Sequence, residues 1–398
     1  MKLMYINGQF TKGNATEEAE VTNPATEEVL DAVPRGTAED VESVVRSSNE
    51  AFKSWRKMGA NERTSLLHEV ASKVRSYREE IVHLLTLEEG KPIPENDEEL
   101  EWVANTFDYY AELGRHDRGR VIPPGEASQF NFILKEPYGV VGCIVPWNYP
   151  LLLMAWKVAP ALAAGNTVII KPSEMTLLTA LYLAEHCFDG LPAGVVNVIT
   201  GFGAETGEPL VKHPDVPVIA FTGSLATGQR IASHAAPMMK KLHLELGGKD
   251  ATVIAEDADP EIAAKAVAYA ALINAGQVCT STERVYIPKR KAKQFTEAIV
   301  EHVRLLKLGS GLDASTDVGP MIGDSYRAKI ESHVEDARSR GAQILTGGQR
   351  PVNISKGWFY EPTVVSGVDH TMLIMREETF GPAVPLMDTL RLRKRLIW

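Results

Sequence analysis

The feature that most constrains the fold is an alternation of short β-branched runs with amphipathic stretches between residues 139 and 223. The runs are "YGVVGCIV", "TVIIK", "VVNVIT" and "PVIAFTG", and they alternate with stretches such as "LLLMAWKVAPALAAG" and "LLTALYLAEHCF". Strands that alternate with helices predict βαβ units, and these units form a parallel sheet covered by helices. We therefore predict an α/β fold with a parallel sheet at its centre.

The sequence on either side predicts two additions to this sheet. Residues 38–115 are rich in charged amphipathic stretches, which we expect to form outer helices. The segment "GRVIPPGEASQFNFILKEP" has strand alternation on both sides of a Pro-Pro-Gly turn and predicts a hairpin. The exposed edge of such a hairpin is suited to pairing with another chain.

After residue 250 the α/β pattern begins again. The runs "ATVIA", "RVYIP" and "AQILTGG" predict strands, and residues 259–275 and 289–307 predict helices. A second domain is therefore expected to begin at the glycine pair Gly247-Gly248. The predicted organisation is a first domain of residues 1–116 and 138–247, a hairpin of residues 117–137 and a second domain of residues 248–398.

Composition excludes several classes of protein. The 398 residues carry a net charge of −10 with scattered lysines and arginines, which is unlike a nucleic-acid-binding surface. The chain has no apolar run of about 18 residues and no secretory signal at its start, so we expect a cytoplasmic protein that does not span a membrane. The three cysteines lie far apart without a CxxC or His/Cys cluster, so neither a disulfide framework nor a metal site is expected. Small molecules are the expected partners.

One cysteine lies in a context that suits a nucleophile. Asp259 is a predicted helix N-cap, and the helix runs to Gly276, so Cys279 follows on a loop beside polar neighbours. A reactive thiolate needs access and hydrogen-bond donors, which such a loop supplies. A structural role for Cys279 stays open on this evidence of context alone, and Cys143 and Cys187, within a predicted strand and helix, are expected to be packing residues.

Two other polar residues are candidates for catalysis. In "KLHLELGGK", alternation places Leu242, Leu244 and Leu246 on one face of a strand and His243 and Glu245 on the other. Glu245 is either a general base or a solvated carboxylate on an edge strand. His243 is a second candidate base, but a structural, hydrogen-bonded histidine is the favoured interpretation. Asn148 follows the first parallel strand, where its amide can donate to an oxyanion or simply form a turn.

Two strand ends are candidates for contacts with a nucleotide. Lys171 ends "TVIIK", and Glu174 beside it can accept from ribose hydroxyls while its charge repels a 2′-phosphate, which favours NAD over NADP. The alternative is an ordinary loop with a helix N-cap at Ser173. Gly223, Ser224 and Gly228 follow "PVIAF" and open a helix whose N–H groups suit a pyrophosphate or form only a tight turn. The segment "GFGAETG" has one residue too many for GxGxxG, so we set it aside as a phosphate motif.

Together these stretches resemble the aldehyde dehydrogenase superfamily over essentially the whole chain. The resemblance is carried by the ordered set "PWNYP", "KPSE", "FTGS", "ELGGK", "GQVC" and "EETFGP", with Cys279 at a spacing of 34 residues from Glu245. It implies a Rossmann-like cofactor domain, an α/β catalytic domain and a small β arm for oligomerisation. The implied activity is NAD-dependent oxidation of an aldehyde to a carboxylic acid.

The resemblance also implies a role for each matching residue. Cys279 is then the nucleophile that forms a thiohemiacetal and, after hydride transfer to nicotinamide, a thioester, while Asn148 holds the oxyanion and Glu245 activates water. The implied cofactor contacts are Lys171, Glu174, Gly223, Ser224, Gly228, Trp147, Leu246, Glu378 and Phe380. Tyr149 and Trp156 match aromatic positions in the acyl tunnel, which in the betaine-aldehyde and aminoaldehyde branch help to bind a cationic nitrogen.

The C-terminus departs from the family pattern. Family members continue well beyond "EETFGP", whereas this chain ends at Trp398 after the arginine-rich "DTLRLRKRLIW". We therefore expect a C-terminally truncated chain without the strand that would pair with the 117–137 hairpin, which puts homo-oligomer formation in doubt. The alternative to an active enzyme is a truncated, catalytically silent protein that retains cofactor binding or thiol esterase activity. A Cys-His thiol hydrolase is the remaining alternative, and it would require a histidine near Cys279.

Overall fold

The computed structural model describes residues 1–116 and 119–389, and it confirms the α/β fold. The strands are β1 (Met4–Ile6), β2 (Gln9–Thr11), β3 (Glu18–Thr22), β4 (Val29–Pro34), β5 (Arg120–Ile122), β6 (Asn131–Ile133), β7 (Val140–Ile144), β8 (Thr167–Lys171), β9 (Val196–Val198), β10 (Val218–Gly223), β11 (Lys241–Leu246), β12 (Ala251–Val253), β13 (Arg284–Pro288), β14 (Gln343–Thr346), β15 (Thr363–Ser366) and β16 (Ala383–Thr389). The helices are α1 (Ala38–Trp55), α2 (Ala60–Ser76), α3 (Arg78–Glu89), α4 (Ile93–His116), α5 (Pro150–Ala163), α6 (Leu178–His186), α7 (Glu208–Lys212), α8 (Leu225–Ala235), α9 (Pro260–Leu272), α10 (Ala292–Arg304), α11 (Asp324–Ser339) and α12 (Leu373–Arg376).

The chain forms two compact units. The first comprises Met1–Val21, Asp31–Val82 and Asp97–Glu245, and the second comprises Thr22–Leu30, His83–Asn96 and the chain from Leu246 onwards. The sequence-based boundaries placed residues 22–30 and 83–96 in the first domain, and this part of the prediction differs from the structure. The reason is long-range hydrogen bonding within the second unit: Pro24 O accepts from Trp358 N at 3.0 Å, and Ile93 N donates to Gly311 O at 3.1 Å.

The first unit is built on a seven-stranded sheet of order β11-β10-β7-β8-β9-β1-β2. Strands β7, β8, β9 and β10 are parallel, and β7 and β8 are apolar and almost wholly buried, as expected for a sheet with helices on both faces. The chain proceeds from β7 to β8 and β9 on one side and then returns to β10 on the other. A reversal of this kind opens a crevice beyond the carboxyl ends of the strands, where ligands bind in sheets of this type.

The second unit contains a five-stranded sheet of order β12-β13-β16-β15-β14, in which only β14 pairs antiparallel. Its core includes Phe295 and Ile299 of α10 and Val285 of β13. The Asp259 side chain accepts from Glu261 N and Ile262 N, so the predicted N-cap of α9 is confirmed.

The end of the chain and the hairpin also bear on the predictions. Asp388 and Thr389 belong to β16, so the expected break in pattern at "DTLRLRKRLIW" is wrong for its first two residues, and residues 390–398 lie outside the described residues.

Strands β5 and β6 form the predicted antiparallel hairpin, with Val121 and Phe132 exposed. Self-association through this hairpin stays a prediction. Among the helices of residues 1–116 and 119–389, none combines the length and apolarity that crossing a bilayer requires.

Candidate active site

Cys279 lies in the second unit, on the loop between a 3₁₀ turn (Ile273–Gly276) and β13, and it is partly exposed. Cys143 in β7 and Cys187 at the end of α6 are buried, as predicted for packing residues. Burial raises the pKa of each of these two thiols to about 12. Because the thiolate is the reactive form, two thiols that stay protonated at neutral pH are poor nucleophiles. Cys279 is therefore the cysteine best placed to attack an electrophile.

The turn before Cys279 has an unusual backbone. Asn274, Ala275 and Gly276 are all left-handed, with φ of 48°, 53° and 73°. A left-handed residue with a side chain costs roughly 1–2 kcal/mol, which asparagine tolerates better than alanine. Glycine is required at the third position, since a Cβ on Gly276 would lie 2.3 Å from Gly381 O. The turn thus sends the chain away from α9 in one fixed direction.

Gln277 holds this turn from the other side. It is fully buried, its Nε2 donates to Asn274 O at 3.0 Å, and its Oε1 accepts from Ile322 N at 3.0 Å. Sequence reasoning treated Gln277 only as a polar neighbour of the thiol. Its side chain instead ties the loop to the second unit, so the thiol follows a rigid segment rather than a mobile one.

Glu245 lies on β11, at the edge of the first unit's sheet. The predicted alternation is confirmed: Leu242, Leu244 and Leu246 are the partly buried positions, and His243 and Glu245 are exposed. Glu245 Oε1 lies 3.7 Å from His243 Nε2, and about half of the Glu245 side chain is exposed. A side chain with this exposure is accessible to water, as a general base in hydrolysis must be.

Asn148 follows β7 in the first unit and is buried, together with Trp147 and Tyr149. Helix α5 begins directly after them, and its first N–H groups are held by a residue from α4: the Glu99 carboxylate accepts from Leu151 N at 3.1 Å and from Leu152 N at 3.0 Å. A buried carboxylate at a helix N-terminus accepts hydrogen bonds from N–H groups that have no partner within the helix, and its negative charge interacts favourably with the positive end of the helix dipole. The segment that carries Asn148 is therefore fixed at the reversal point of the sheet.

The two candidate substrate residues differ in exposure. Tyr149 is buried, and its ring stacks on Trp102 of α4 with centroids 6.5 Å apart. Trp156 on α5 is about half exposed. Sequence reasoning did not identify Trp102, because nothing local in "EWVANTFDYY" links it to "PWNYP".

Lys171 ends β8 with its side chain buried in the first unit. Its Nζ donates to Pro172 O at 3.0 Å and lies 3.7 Å from Glu174 Oε2. Burial lowers the pKa of Lys171, and the nearby Glu174 charge opposes that shift. The Glu174 carboxylate is partly exposed, so this pair presents one fixed ammonium and one accessible acceptor to a ligand.

The turn after β10 provides the second nucleotide-type contact. Ser224 is the N-cap of α8, and its Oγ accepts from Thr227 N at 3.3 Å. Gly228 is buried in the first turn of that helix, and a Cβ on Gly223 would lie 2.6 Å from the Phe221 ring. The close approach at Gly223 explains glycine at this position. The N-terminus of α8 supplies backbone donors and a positive dipole end, which suit a phosphate.

A cavity of about 220 Å³ lies in the same unit. Its lining includes Ile144, Lys171, Gly203, Gly207, Thr227 and Ile231. Small-ligand pockets usually measure roughly 300–1,000 Å³, so this cavity suits one part of a dinucleotide rather than all of it. Two glycines without side chains, apolar Ile144 and Ile231 and the Lys171 ammonium fit the adenosine end.

Two glycines of the segment "GFGAETG" belong to the lining of this cavity. Sequence reasoning set this segment aside because its glycine spacing departs from GxGxxG, and in the structure Gly203–Gly207 form a π-helical turn that leads into α7. Two of its glycines nevertheless line the cavity beside Lys171. The signal that would have found them is a glycine-rich segment that begins three residues after β9, beyond the carboxyl end of a parallel strand.

Glu378 and Phe380 lie in the second unit, in the loop before β16. The Glu378 carboxylate packs on the glycine pair: Gly248 N donates to its Oε1 at 3.3 Å, and a Cβ on Gly247 would lie 2.4 Å from its Oε2. Burial raises the pKa of Glu378, and the charge of Glu283 raises it further. Phe380 is left-handed, with φ of 55°.

A buried ion pair that sequence reasoning missed holds this loop. The Glu283 carboxylate accepts from Thr379 N at 3.0 Å and from Phe380 N at 2.8 Å, and it lies 2.7 Å from Lys249 Nζ. Lys249 Nζ also donates to Thr379 Oγ1 at 2.9 Å, and burial lowers the pKa of this lysine. The pair therefore fixes the backbone on both sides of the Phe380 turn.

Within residues 1–116 and 119–389, no group of three or more His, Cys, Asp or Glu side chains is arranged to hold a metal ion. The sequence model of the aldehyde dehydrogenase family matches residues 10–393. The chain belongs to the aldehyde dehydrogenase family. This membership confirms the resemblance on which the site residues were assigned, whereas their individual roles stay predictions.

Named relatives share most of the chain. Betaine aldehyde dehydrogenase 1 of Oryza sativa subsp. japonica is 40% identical over 390 residues, which cover 96% of this chain and 77% of the relative. Mitochondrial succinate-semialdehyde dehydrogenase of Arabidopsis thaliana is 40% identical over 384 residues, which cover 96% of this chain and 72% of the relative. The crystal structure of betaine aldehyde dehydrogenase from Staphylococcus aureus in complex with NAD+ superposes with a TM-score of 0.95 at 37% identity, covering 98% of this chain and 78% of that one.

Proposed function

We propose that this chain oxidises aldehydes to carboxylic acids with NAD+ as the hydride acceptor and Cys279 as the nucleophile. The observation that carries the proposal is the accessibility of Cys279, in a chain of this family whose other two thiols are buried with raised pKa values. The overall conversion consumes one aldehyde, one NAD+ and one water and yields the acid, NADH and one proton.

The covalent steps belong to Cys279. Its thiolate adds to the aldehyde carbon, which forms a C–S bond and leaves a negative charge on the former carbonyl oxygen. This addition is needed because an aldehyde carbon becomes a good hydride donor only after a nucleophile has added to it. Loss of hydride leaves a thioester on Cys279, and hydrolysis breaks the C–S bond to release the acid and restore the thiol.

Two residues of the first unit take the remaining roles. We assign oxyanion stabilisation to the Asn148 side-chain amide, which lies on the buried segment directly before α5, since preorganised donors need no rearrangement as charge develops. Glu245 is the assigned base that takes a proton from the hydrolytic water, which suits its partial exposure. The presence of this carboxylate favours hydrolysis of the thioester over its transfer to another thiol.

NAD+, when bound, supplies the two-electron acceptor for the hydride. For its adenosine end we assign Lys171, Glu174 and the cavity that Gly203 and Gly207 line. The pyrophosphate is assigned to the N-terminus of α8 with Gly223, Ser224 and Gly228, and the nicotinamide end to Glu378 and Phe380. Trp147 and Leu246 are further assigned contacts.

For the substrate we infer a cationic aldehyde of the betaine or aminoaldehyde type. Ring faces attract positive charge, and Tyr149, stacked on Trp102, together with the exposed Trp156 supplies such faces. Similarity alone does not decide the charge of the substrate, because a succinate-semialdehyde dehydrogenase is as identical to this chain as a betaine aldehyde dehydrogenase. A cytoplasmic location remains our inference from composition.

The test is NADH formation at 340 nm by the 398-residue chain. We expect turnover with betaine aldehyde and a lower kcat/KM with succinate semialdehyde. Cys279→Ser, which keeps the size of the side chain, should abolish turnover, whereas Cys187→Ser should leave it. Absence of NADH with several aldehydes in folded protein would refute the activity, and a preference for the anionic aldehyde would refute the substrate class alone.

A further inference from the structure

Asn274, five residues before Cys279, is bound through three of its polar groups. Its backbone N–H donates to Glu95 Oε2 at 2.7 Å, and its side-chain Nδ2 donates to Glu89 Oε1 at 3.1 Å. Its carbonyl accepts from Gln277 Nε2 at 3.0 Å. Asn274 is buried and left-handed, so these bonds hold a backbone conformation that residues with side chains rarely adopt.

The residue that binds the Asn274 side chain is itself fixed. The Glu89 and Lys91 side chains are both wholly buried, and Glu89 Oε2 lies 3.2 Å from Lys91 Nζ. Asn96 Nδ2 donates to Lys91 O at 3.0 Å and to Thr86 Oγ1 at 2.8 Å. Buried charges are retained only with partners, so this network has little freedom to rearrange.

The backbone between the two carboxylates is equally constrained. Gly90 is left-handed with φ of 87°, and a Cβ there would lie 2.6 Å from Pro320 Cγ and 2.8 Å from Pro24 Cγ. Only glycine fits this position without displacing both prolines. Residues 89–95 therefore form a rigid support within the second unit, and Asn274 is attached to it at two points.

We propose that Glu89 and Glu95 are positioning residues for the reaction: they hold Asn274 in its left-handed conformation and thereby set the direction in which the loop presents the Cys279 thiol. The inference rests on the proposed function, because it takes Cys279 as the nucleophile. The effect of the two carboxylates is geometric, and a displacement of about 1 Å at a reacting group can cost roughly 100-fold in rate.

Three substitutions on one helix test the proposal. Glu95→Gln keeps an oxygen that can accept from Asn274 N, Glu95→Leu removes it, and Glu98→Leu is the matched control at an exposed position of α4. We expect Glu95→Leu to lower kcat at least about tenfold, because the thiol loses its fixed orientation. KM for NAD+ should stay within about twofold, since the assigned adenosine and pyrophosphate contacts lie elsewhere. Glu95→Gln and Glu98→Leu should both stay close to wild type.

Hydrogen–deuterium exchange supplies a readout that does not depend on turnover. In Glu95→Leu the amides of residues 273–279 should exchange at least about tenfold faster than in the wild type, because the opening of this turn becomes easier. If Glu95→Leu does not fold, Asn274→Gly and Asn274→Ala replace it. Glycine accepts the left-handed backbone but loses the bond to Glu89, so kcat should fall. Alanine loses the same bond and also disfavours the left-handed backbone, so kcat should fall further.

The outcomes separate this inference from the function beneath it. A folded Glu95→Leu with wild-type exchange and wild-type kcat overturns the positioning role and leaves the enzyme activity standing. Loss of activity in Glu95→Gln equal to that in Glu95→Leu also overturns it, since the acceptor would then be irrelevant. If the wild type forms no NADH but exchange accelerates in Glu95→Leu, the support of the loop holds and the proposed function fails.

Discussion

Replacement of Glu283 by glutamine should destabilise the second unit strongly. The buried carboxylate pairs with Lys249 Nζ at 2.7 Å and accepts from the backbone of Thr379 at 3.0 Å and of Phe380 at 2.8 Å. Glutamine leaves the lysine cation buried without its counter-charge, and breaking a buried pair from one side costs about 3–5 kcal/mol. At roughly 2–4 °C per kcal/mol for a domain of about 150–250 residues, Tm should fall by roughly 6–20 °C.

Urea unfolding followed by circular dichroism measures the loss, and two controls interpret it. Glu283→Gln with Lys249→Met removes both charges and should recover at least half of the loss, since no unpaired charge remains buried. Glu297→Gln breaks the exposed pair with Lys293, 3.8 Å apart, and should cost no more than about 0.5 kcal/mol. A loss below about 1 kcal/mol for Glu283→Gln, or no recovery in the double variant, would refute the argument.

Three further predictions follow from exposure and charge. Iodoacetamide should alkylate Cys279 in the folded protein, whereas Cys143 and Cys187 should react only after denaturation, because both are buried. Peptide mass mapping checks this, and labelling of either buried thiol in the folded protein would contradict it. Glu174→Ala should raise the ratio of kcat/KM for NADP+ to kcat/KM for NAD+ by roughly tenfold, or ~1.4 kcal/mol, because the charge that repels the 2′-phosphate is removed. An unchanged ratio would speak against a cofactor contact at this carboxylate. Burial lowers the pKa of His333 from 6.5, so the folded state binds fewer protons than the unfolded state just below pH 6.5. The stability that neutral His333 contributes is complete above pH 6.5 and is lost as pH falls from 6.5 towards the lowered pKa of the folded state. His333→Phe should therefore flatten the dependence of the unfolding free energy on pH just below 6.5. An unchanged slope in urea titrations would show that this histidine is not its source.

Local patterns predicted the parts of the fold and site that local chemistry determines. The period-two alternation of "KLHLEL" placed Glu245 on the exposed face of β11, because strand side chains alternate regardless of the rest of the chain. Asp259-Pro260 marked the start of α9, because capping depends only on the next two or three residues.

The remainder depends on partners far apart in sequence. Glu283 and the Thr379 amide are 96 residues apart, and Glu99 binds the Leu151 amide from 52 residues away. Neither carboxylate has a local pattern that distinguishes it from a solvated glutamate. The assignment of residues 83–96 to the second unit has the same cause, since Glu89 and Asn274 meet across 185 residues. Single-sequence patterns identify which residue types can do chemistry, but tertiary contacts decide which carboxylates become structural supports.

The most direct test of the account is the intact mass of Glu245→Gln after incubation with aldehyde and NAD+. Glutamine cannot take a proton from water, so the thioester should form and persist. We expect a gain in mass equal to the mass of the aldehyde less two hydrogens, located on the peptide that carries Cys279 and absent from Glu245→Gln with Cys279→Ser. Turnover at the wild-type rate with no adduct, or an adduct on a different residue, would contradict the central claim that the acid is released from Cys279.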